Sequence, residues 1–352
     1  MSIFKSKKSL SIDFCSRRIK VIEGKFSKSK VTISKEFEVE LPEDIYEDGV
    51  ILNIHKLTET LEKELTRNKV STVQVNGVIN SSQIITREIT MPKVSLEEIE
   101  SILRYKMEEY IPIQSDDYVV QSIITSTFYE DSIEKYSILL VGVPKPMIQA
   151  HLNLFLNLNL RPNILDFQGN SIAKLINLAS EINKEFHVKD KFIASIDIGF
   201  NTTKLTIVGD NSIKITRILD SGIEDILKDI EDEFGQDEKE GFDLLYNISM
   251  DTDYLEGTRE KQVQDIVKNS FNKLMDDVDM IFRYFRTIEI NYNIDLILLH
   301  GEIGMFNDIE VVFENYLGIK STIFDSLENI NIKGPIWKYA NAIGGLRRME
   351  EV

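Results

Sequence analysis

Two aspartates at strand ends are the residues of this 352-residue sequence best placed to do chemistry. Ser11-Ile12-Asp13-Phe14-Cys15 and Ser195-Ile196-Asp197-Ile198-Gly199 each end an apolar strand in an aspartate, turn tightly and enter a second strand. The two aspartates lie 184 residues apart, about half the chain, and a match repeated at that spacing points to a duplicated domain. Hairpin turns present backbone N–H groups, so two facing turns can grip the phosphates of one nucleotide. Carboxylates at the strand ends can hold a Mg²⁺ ion through water, which makes Asp13 and Asp197 candidate metal residues. Lys20, seven residues after Asp13, puts an ammonium on the adjoining strand, where it could reach a phosphate. The alternative for each aspartate alone is a turn residue that accepts backbone hydrogen bonds. A third segment runs Leu296-Ile297-Leu298-Leu299 into His300-Gly301-Glu302-Ile303-Gly304. A glycine-containing strand-to-helix turn lets the backbone approach a flat ligand such as adenine or ribose, or simply reverses the chain.

The elements that must position these residues follow from periodicity. Strands are expected over Leu10–Phe14, Ile19–Glu23 and Lys30–Leu41, a helix over Asn53–Asn68, and a strand over Ser71–Ile79, with Met91-Pro92 as a linker. Met91–Leu160 reads as its own β-α-β-β-α unit. In it Ser95 and Glu98 form a capping box. Leu96, Ile99, Leu103, Met107 and Tyr110 share one helical face, and Pro112 ends the helix. Strands Tyr118–Thr127 and Lys135–Val143 and a helix Lys145–Leu158 complete it. A helix is expected over Asn170–Asn183, then strands Lys191–Ile198, Lys204–Val208 and Ile213–Ile218, and a helix from Ser221 to Glu233. The acidic run Asp232–Glu240 reads as a solvated loop. A long helix, Tyr254–Ile288, precedes a strand, Asp295–Leu299, a helix, Phe306–Leu317, and a closing helix with Trp337, Ala340, Ile343 and Leu346.

Composition narrows the class. Apolar residues make up 42% and charged residues 28%, the balance of a globular protein of two ordinary domains. One cysteine, Cys15, cannot form an internal disulfide, which favours a reducing compartment. The four histidines are scattered, without zinc-ligand spacing. A net charge of −17 argues against nucleic acid and anionic membrane surfaces as partners. No run approaches the roughly 20 apolar residues a membrane helix needs. The start, MSIFKSKKSL, lacks a signal-peptide apolar run, and the end, GGLRRMEEV, is too short for a clear amphipathic anchor. The expectation is a cytoplasmic protein without direct membrane insertion.

Taken in order, these pieces resemble the actin/Hsp70/sugar-kinase superfamily. Asp13–Lys20 resembles its first phosphate loop, Asp197–Thr203 its second, and Leu296–Gly304 its adenosine segment. Within that superfamily the chain is most similar to the PilM family of type IV pilus machines, over nearly its whole length. The resemblance rests on Glu98-Ile99, Tyr110-Ile111-Pro112-Ile113-Gln114, Leu139–Lys145, Leu160–Asp166 and the closing Ala340-Asn341-Ala342-Ile343-Gly344-Gly345-Leu346-Arg347. It implies an α/β, duplicated actin-like (RNase H-like, ASKHA) fold with an inserted subdomain like that of the division protein FtsA. The implied organisation is a first actin-like subdomain at 1–90, the insertion at 91–160 and a helix returning to the first subdomain at 161–190. The second actin-like subdomain then takes 191–225 and 289–333, its own insertion 226–288, and a C-terminal helix 334–352 packs on the first half. The resemblance also implies ATP or ADP with Mg²⁺, held by Asp13, Cys15, Ser16, Arg17 and Lys20, by Asp197, Gly199, Asn201, Thr202 and Gly222, and by Gly301, Glu302 and Gly304. The implied partners are the N-terminal cytoplasmic peptide of a PilN-like membrane protein and the pilus motor ATPases, at the inner face of the cell membrane. Little ATP turnover is expected.

The sequence departs from the family pattern in the first loop, Asp13-Phe14-Cys15-Ser16-Arg17-Arg18. Cys15 replaces a glycine that lets phosphate lie close to the backbone. Arg17 and Arg18 stand where small residues are expected; they either pair with phosphate oxygens, occupy the cleft or point to solvent. The second loop is nearly intact. His300 and Glu302 stand at expected glycine positions, and Ser221-Gly222 replaces a more usual Gly-Gly. Nucleotide binding is therefore expected to be weak, and no residue is placed as a general base for attack on a γ-phosphate. Two other readings share the fold: an FtsA-like polymerising protein, disfavoured by the missing membrane helix, and a sugar or acid kinase, for which no catalytic aspartate is identified.

Overall fold

The computed structural model describes residues 8–27, 30–110, 117–289 and 292–347. The expectations for Pro112, for Ile111–Gln114, for the basic start and for the chain beyond Arg347 lie outside the described residues, as does the side chain of Met107. The chain divides into two compact units: residues 1–174 with 210–214 and 341–352, and residues 175–209 with 215–340.

In the first unit, β1 (Ser9–Asp13) runs antiparallel to β2 (Arg18–Ser27), and β2 to β3 (Lys30–Glu40). A short hairpin of β4 (Tyr46–Glu47) and β5 (Val50–Ile51) leads into α1 (Ile54–Arg67). Asn53 caps α1 by accepting the Lys56 N–H, and Leu57, Leu61 and Leu65 form its buried stripe. Next, β6 (Gln74–Ile79) lies parallel to β1 on the other side. The chain then builds β7 (Ile85–Pro92), α2 (Leu96–Tyr110), β8 (Tyr118–Glu130), β9 (Ile133–Pro144) and α3 (Lys145–Asn157). It returns as β10 (Arg161–Phe167), parallel to β6, and α4 (Gln168–Ile176). Every residue of β1 is buried, as befits a central strand. Leu10, Ile12, Leu57, Leu61 and Phe155 share one core.

The strands β7-β9-β8 form a separate three-stranded sheet. Ile99 and Leu103 of α2 pack against its Ile89, Met91, Ile138 and Leu140. The capping box is present: Glu98 N–H donates to Ser95 Oγ at 3.3 Å, and Ser95 N–H to Glu98 Oε2 at 3.0 Å. Met91-Pro92 is not a linker. Both residues end β7, opposite Tyr136 and Lys135 of β9. Proline is tolerated there because the strand is an edge and Pro92 its last residue. Helix α3, grouped with this unit by sequence, places Met147, Leu154 and Phe155 in the larger core. The strand β10 was hidden by Pro162, and its register shifts between Pro162 and Ile164.

The second unit opens with a small hairpin, β11 (Glu181–Ile182) and β12 (Phe186–His187), where sequence predicts the end of a helix. That helix stops at Ile176, and Asn183 and Lys184 take left-handed φ of 54° and 59°. There follow β13 (Ile193–Ile198), β14 (Thr203–Gly209) and β15 (Ser212–Leu219). Three helices come next, α5 (Ile223–Phe234), α6 (Glu238–Tyr246) and α7 (Arg259–Ile288). After them come β16 (Leu296–Gly301), a 3-10 turn (Glu302–Met305), α8 (Ile309–Leu317), β17 (Ser321–Ile323) and α9 (Ile336–Gly345). The sheet is ordered β14-β13-β16-β17, with residues of β15 from 215 on at the β14 edge.

The acidic run Asp232–Glu240 is mostly helical rather than a loop. Gly235, at φ 64°, ends α5, and Asp237 caps α6 by accepting the Glu240 N–H. Helix α7 starts later than the periodicity implies, because Thr258 caps it; Val263, Val267, Phe271, Leu274, Val278, Phe282 and Phe285 are among its buried residues.

The two units repeat one plan. In each, a buried strand pairs antiparallel with the next and parallel with a later one. Asp13 faces Lys20 across its hairpin, and Asp197 faces Lys204 at the same register. The last helix contributes residues 341–345 to the first unit. There Asn76 Nδ2 donates to the Gly345 carbonyl and Ser171 Oγ to that of Asn341. Gly344 permits this approach, since a Cβ on it would meet the Ser171 oxygen at 2.0 Å.

Candidate functional site

The first loop of the first unit holds its carboxylate tightly. Asp13 ends β1, is buried, and accepts a hydrogen bond from Gln168 Nε2 at 2.7 Å. Gln168 opens α4 directly after β10, and its side-chain oxygen has no hydrogen-bond partner although the residue is 2% exposed. The half-buried Cys15 thiol lies 3.9 Å from Asp13 Oδ2 and 3.6 Å from Gln168 Nε2, so a sulfur stands beside this carboxylate. Arg17 approaches Glu43 at 3.6 Å and Arg18 approaches Glu40 at 3.9 Å. Those exposed glutamates draw both guanidiniums, a weak kind of pair. Lys20 is buried on β2, opposite Asp13. Ser16 lies in the turn between β1 and β2.

The second loop is built more closely around glycine. Gly199 N–H donates to the Thr202 carbonyl at 3.0 Å, closing the turn between β13 and β14. The carbonyls of Gly199 and Phe200 accept the N–H groups of Ile223 and Glu224, so the loop satisfies the first free donors of α5. Gly222 is pressed against the loop: a Cβ there would lie 2.2 Å from the Phe200 oxygen. Thr203 Oγ1 donates to the Ser221 carbonyl, and Asn201 Nδ2 to Glu224 Oε2, both at 2.8 Å. Asp197 is buried at the end of β13, beside β16. Gly301, at φ 87°, passes so close that a Cβ would meet Asp197 Oδ1 at 2.3 Å. Only glycine suits both the φ and the gap. His300, 2% exposed, bonds Ser195 Oγ through Nε2 at 2.8 Å and places Nδ1 3.8 Å from Asp197 Oδ1. Glu302 is buried at the start of the 3-10 turn. Gly304 faces the Trp337 ring, with 2.2 Å available to a Cβ, so its lack of a side chain serves a packing contact.

Each unit thus gathers its own candidates, Asp13 with Cys15 and Lys20 in one, Asp197 with Gly199, Gly222 and Gly301 in the other. Three participants escaped the sequence reading. Lys204 repeats the Asp13-to-Lys20 spacing after Asp197, a signal that was legible. Gln168 reaches Asp13, and Ser195 reaches His300, through strand pairing, which no local pattern announces.

A family model described as type IV pilus assembly protein PilM matches residues 11–341. The chain belongs to the PilM family. A solved structure titled PilM-PilN type IV pilus biogenesis complex is similar at 17% identity and a TM-score of 0.78, covering 97% of this chain and 100% of that one. The ethanolamine utilization protein EutJ of Carboxydothermus hydrogenoformans follows at 11% identity, with a TM-score of 0.57, covering 97% and 89%. MreB5 of Spiroplasma citri, solved with ADP, is similar at 14% identity and a TM-score of 0.54, covering 96% and 94%. No protein among the curated sequences matches. Membership of the PilM family and these neighbours make the fold actin-like and the chain a type IV pilus assembly protein of actin-like architecture.

A phosphate would fit the second loop better than the first in one respect: the second keeps a glycine at 199, whereas Cys15 sets a thiol into the corresponding turn. The gaps at Gly222 and Gly301 are taken by the chain's own Phe200 oxygen and Asp197 Oδ1. Among the described residues no group of three or more His, Cys, Asp or Glu side chains is gathered for a metal ion. A Mg²⁺ bound here would take most of its ligands from phosphate and water.

Proposed function

We propose that this chain is a non-enzymatic assembly component of a type IV pilus machine, working at the inner face of the cell membrane. It binds the cytoplasmic N-terminal peptide of a PilN-like membrane protein and takes a nucleotide weakly, and it connects the membrane complex to the motor ATPases. The observation that carries this reading is the likeness to the PilM-PilN complex over the full length of that chain, joined to the family match. Among the described residues no helix is long and apolar enough to cross a membrane.

The sheet β7-β9-β8 with α2 is the proposed peptide-binding region. Its outer strand β8 is 13 residues long, and its far edge leaves main-chain groups for an extended segment to pair with. Residues 91–160 carry ten acidic and five basic side chains, which suits a peptide with lysine or arginine. Retention of the peptide by the full chain in a pull-down, and its loss when β7 to β9 are removed from a folded variant, is the expected result.

A nucleotide would be held, through its phosphate, by Asp197 and the Gly199–Thr202 turn of the second unit. Bound with Mg²⁺, it would supply a charged phosphate whose presence stabilises one state of the protein. The second loop's backbone would orient the phosphate, and Asp197 would serve the ion's water shell. His300 is buried and its Nε2 bonds Ser195 Oγ, an arrangement that suits a packing role better than that of a hydrolytic base.

A further inference from the structure

The repeat between the two units extends to a cation beside each aspartate. Lys204 stands directly opposite Asp197 across the β13–β14 hairpin, as Lys20 stands opposite Asp13. Opposite residues of an antiparallel pair share one face. Strand β14 is otherwise buried on both faces, with Thr203, Leu205, Thr206 and Ile207 all inside. A lysine in such a strand carries a desolvation cost that an apolar residue would avoid.

The side chain is 12% exposed, and its Nζ lies 3.9 Å from Asp197 Oδ2. That distance is an ion pair at its outer limit and is too long for a hydrogen bond. The ammonium leans instead over the loop. A Cβ built on Gly199 would lie 3.0 Å from Nζ, so the charge sits beside the backbone of the β13–β14 turn. An ammonium has three donors, and a carboxylate 3.9 Å away takes none of them at full strength.

Resting on the nucleotide reading above, we propose that Lys204 is the phosphate-contacting cation of the second loop. It would select a polyphosphate over a nucleoside or monophosphate. Asp197 then has two tasks: it holds the ammonium over Gly199 when no anion is present, and it serves the ion's water shell when one is.

The test is calorimetric titration of ATP, ADP, adenosine and inorganic tripolyphosphate, each with Mg²⁺, into the full chain and into Lys204→Gln and Lys204→Arg. Thermal melts without ligand are run on all three. The expected result is a loss of tenfold or more in ATP affinity for Lys204→Gln, partial rescue by Lys204→Arg, no change for adenosine, and a shallower salt dependence. Should Lys204→Gln melt early, the Lys204→Arg comparison at matched folded fraction still reads the charge at this position. Parent and Lys204→Gln binding ATP equally would overturn the role of Lys204 while leaving the nucleotide reading intact. A parent that binds neither ATP nor tripolyphosphate at millimolar concentration would overturn both.

Discussion

At the scale of single residues, one departure from the family pattern decides how the first loop behaves. Cys15 puts a thiol 3.9 Å from Asp13 Oδ2, where a glycine would leave the backbone open. Cys15→Gly is expected to tighten Mg²⁺-nucleotide binding several-fold, and Asp197→Ala to weaken it by about tenfold, or roughly 1.4 kcal/mol; calorimetry reads both. A second residue acts on stability alone. Glu23 is fully buried on β2, accepting the N–H groups of Ser71 and Thr72 and pairing with Lys8 Nζ at 2.7 Å. Burial raises its pKa, but Lys8 and the Ser71 and Thr72 donors outweigh that and hold it at about 2, down from 4.5. Its stabilising contribution is therefore full above pH 4.5 and is lost as pH falls toward 2. Glu23→Gln should cost about 2 kcal/mol in urea melts at pH 7, with the gap to the parent closing in the same melts at pH 3. A cost that is unchanged at pH 3 would contradict the charged role.

At the scale of elements, α3 ties the three-stranded module to the larger core of its unit, and its buried histidine makes that tie acid-sensitive. His151 lies against Phe14 with ring centroids 4.9 Å apart. It meets the Tyr46 hydroxyl at 3.3 Å through Nε2, while Nδ1 lies 2.8 Å from the Met147 carbonyl. Burial lowers its pKa from 6.5 to about 4, against the raising effect of the Met147 bond. The unfolded chain binds the proton more readily, so stability falls as pH drops from 6.5 to 4 and levels off below that. The loss is up to about 3 kcal/mol. His151→Phe should be less stable than the parent at pH 7, because Tyr46 loses its partner, yet show a flatter stability profile between pH 6.5 and 4; denaturant melts across that range check it. The elements also show what a sequence can carry. Strongly periodic ones were legible: the helices α1 and α7, and the capping box of α2 from Ser95 and Glu98. So was the duplication, because Asp13 and Asp197 sit in near-identical local strings. What stayed hidden depends on distant partners or on residues that usually break structure. Strand β10 begins Arg161-Pro162-Asn163, β7 ends in Pro92, and the α4 helix gives way to a hairpin at Asn183 and Lys184. Gln168 and Ser195 became visible as site residues only when β10 met β6 and β13 met β16.

At the scale of the whole molecule, the charge of −17 and the acidic surface of residues 91–160 bear on partner choice more than on fold. An extended peptide that pairs with β8 would gain main-chain hydrogen bonds whatever its sequence, and lysine or arginine on it would add attraction that salt screens over ~8–10 Å. Affinity should therefore fall as ionic strength rises from 50 to about 500 mM, without vanishing. The choice of element matters for any deletion. Removing residues 85–144 takes out β7 through β9 with α2 and leaves α3, whose Met147, Leu154 and Phe155 belong to the larger core. The most direct measurement is fluorescence anisotropy of a labelled peptide from the cytoplasmic N-terminus of the neighbouring pilus membrane protein, titrated with the full chain and with the 85–144 deletion once circular dichroism shows that the deletion is folded. Saturable, salt-sensitive binding by the full chain and none by the deletion is the predicted result. Equal binding by both would move the peptide off the three-stranded module, and no binding by the full chain would contradict the account of this protein as a pilus assembly component that holds its membrane partner by that peptide.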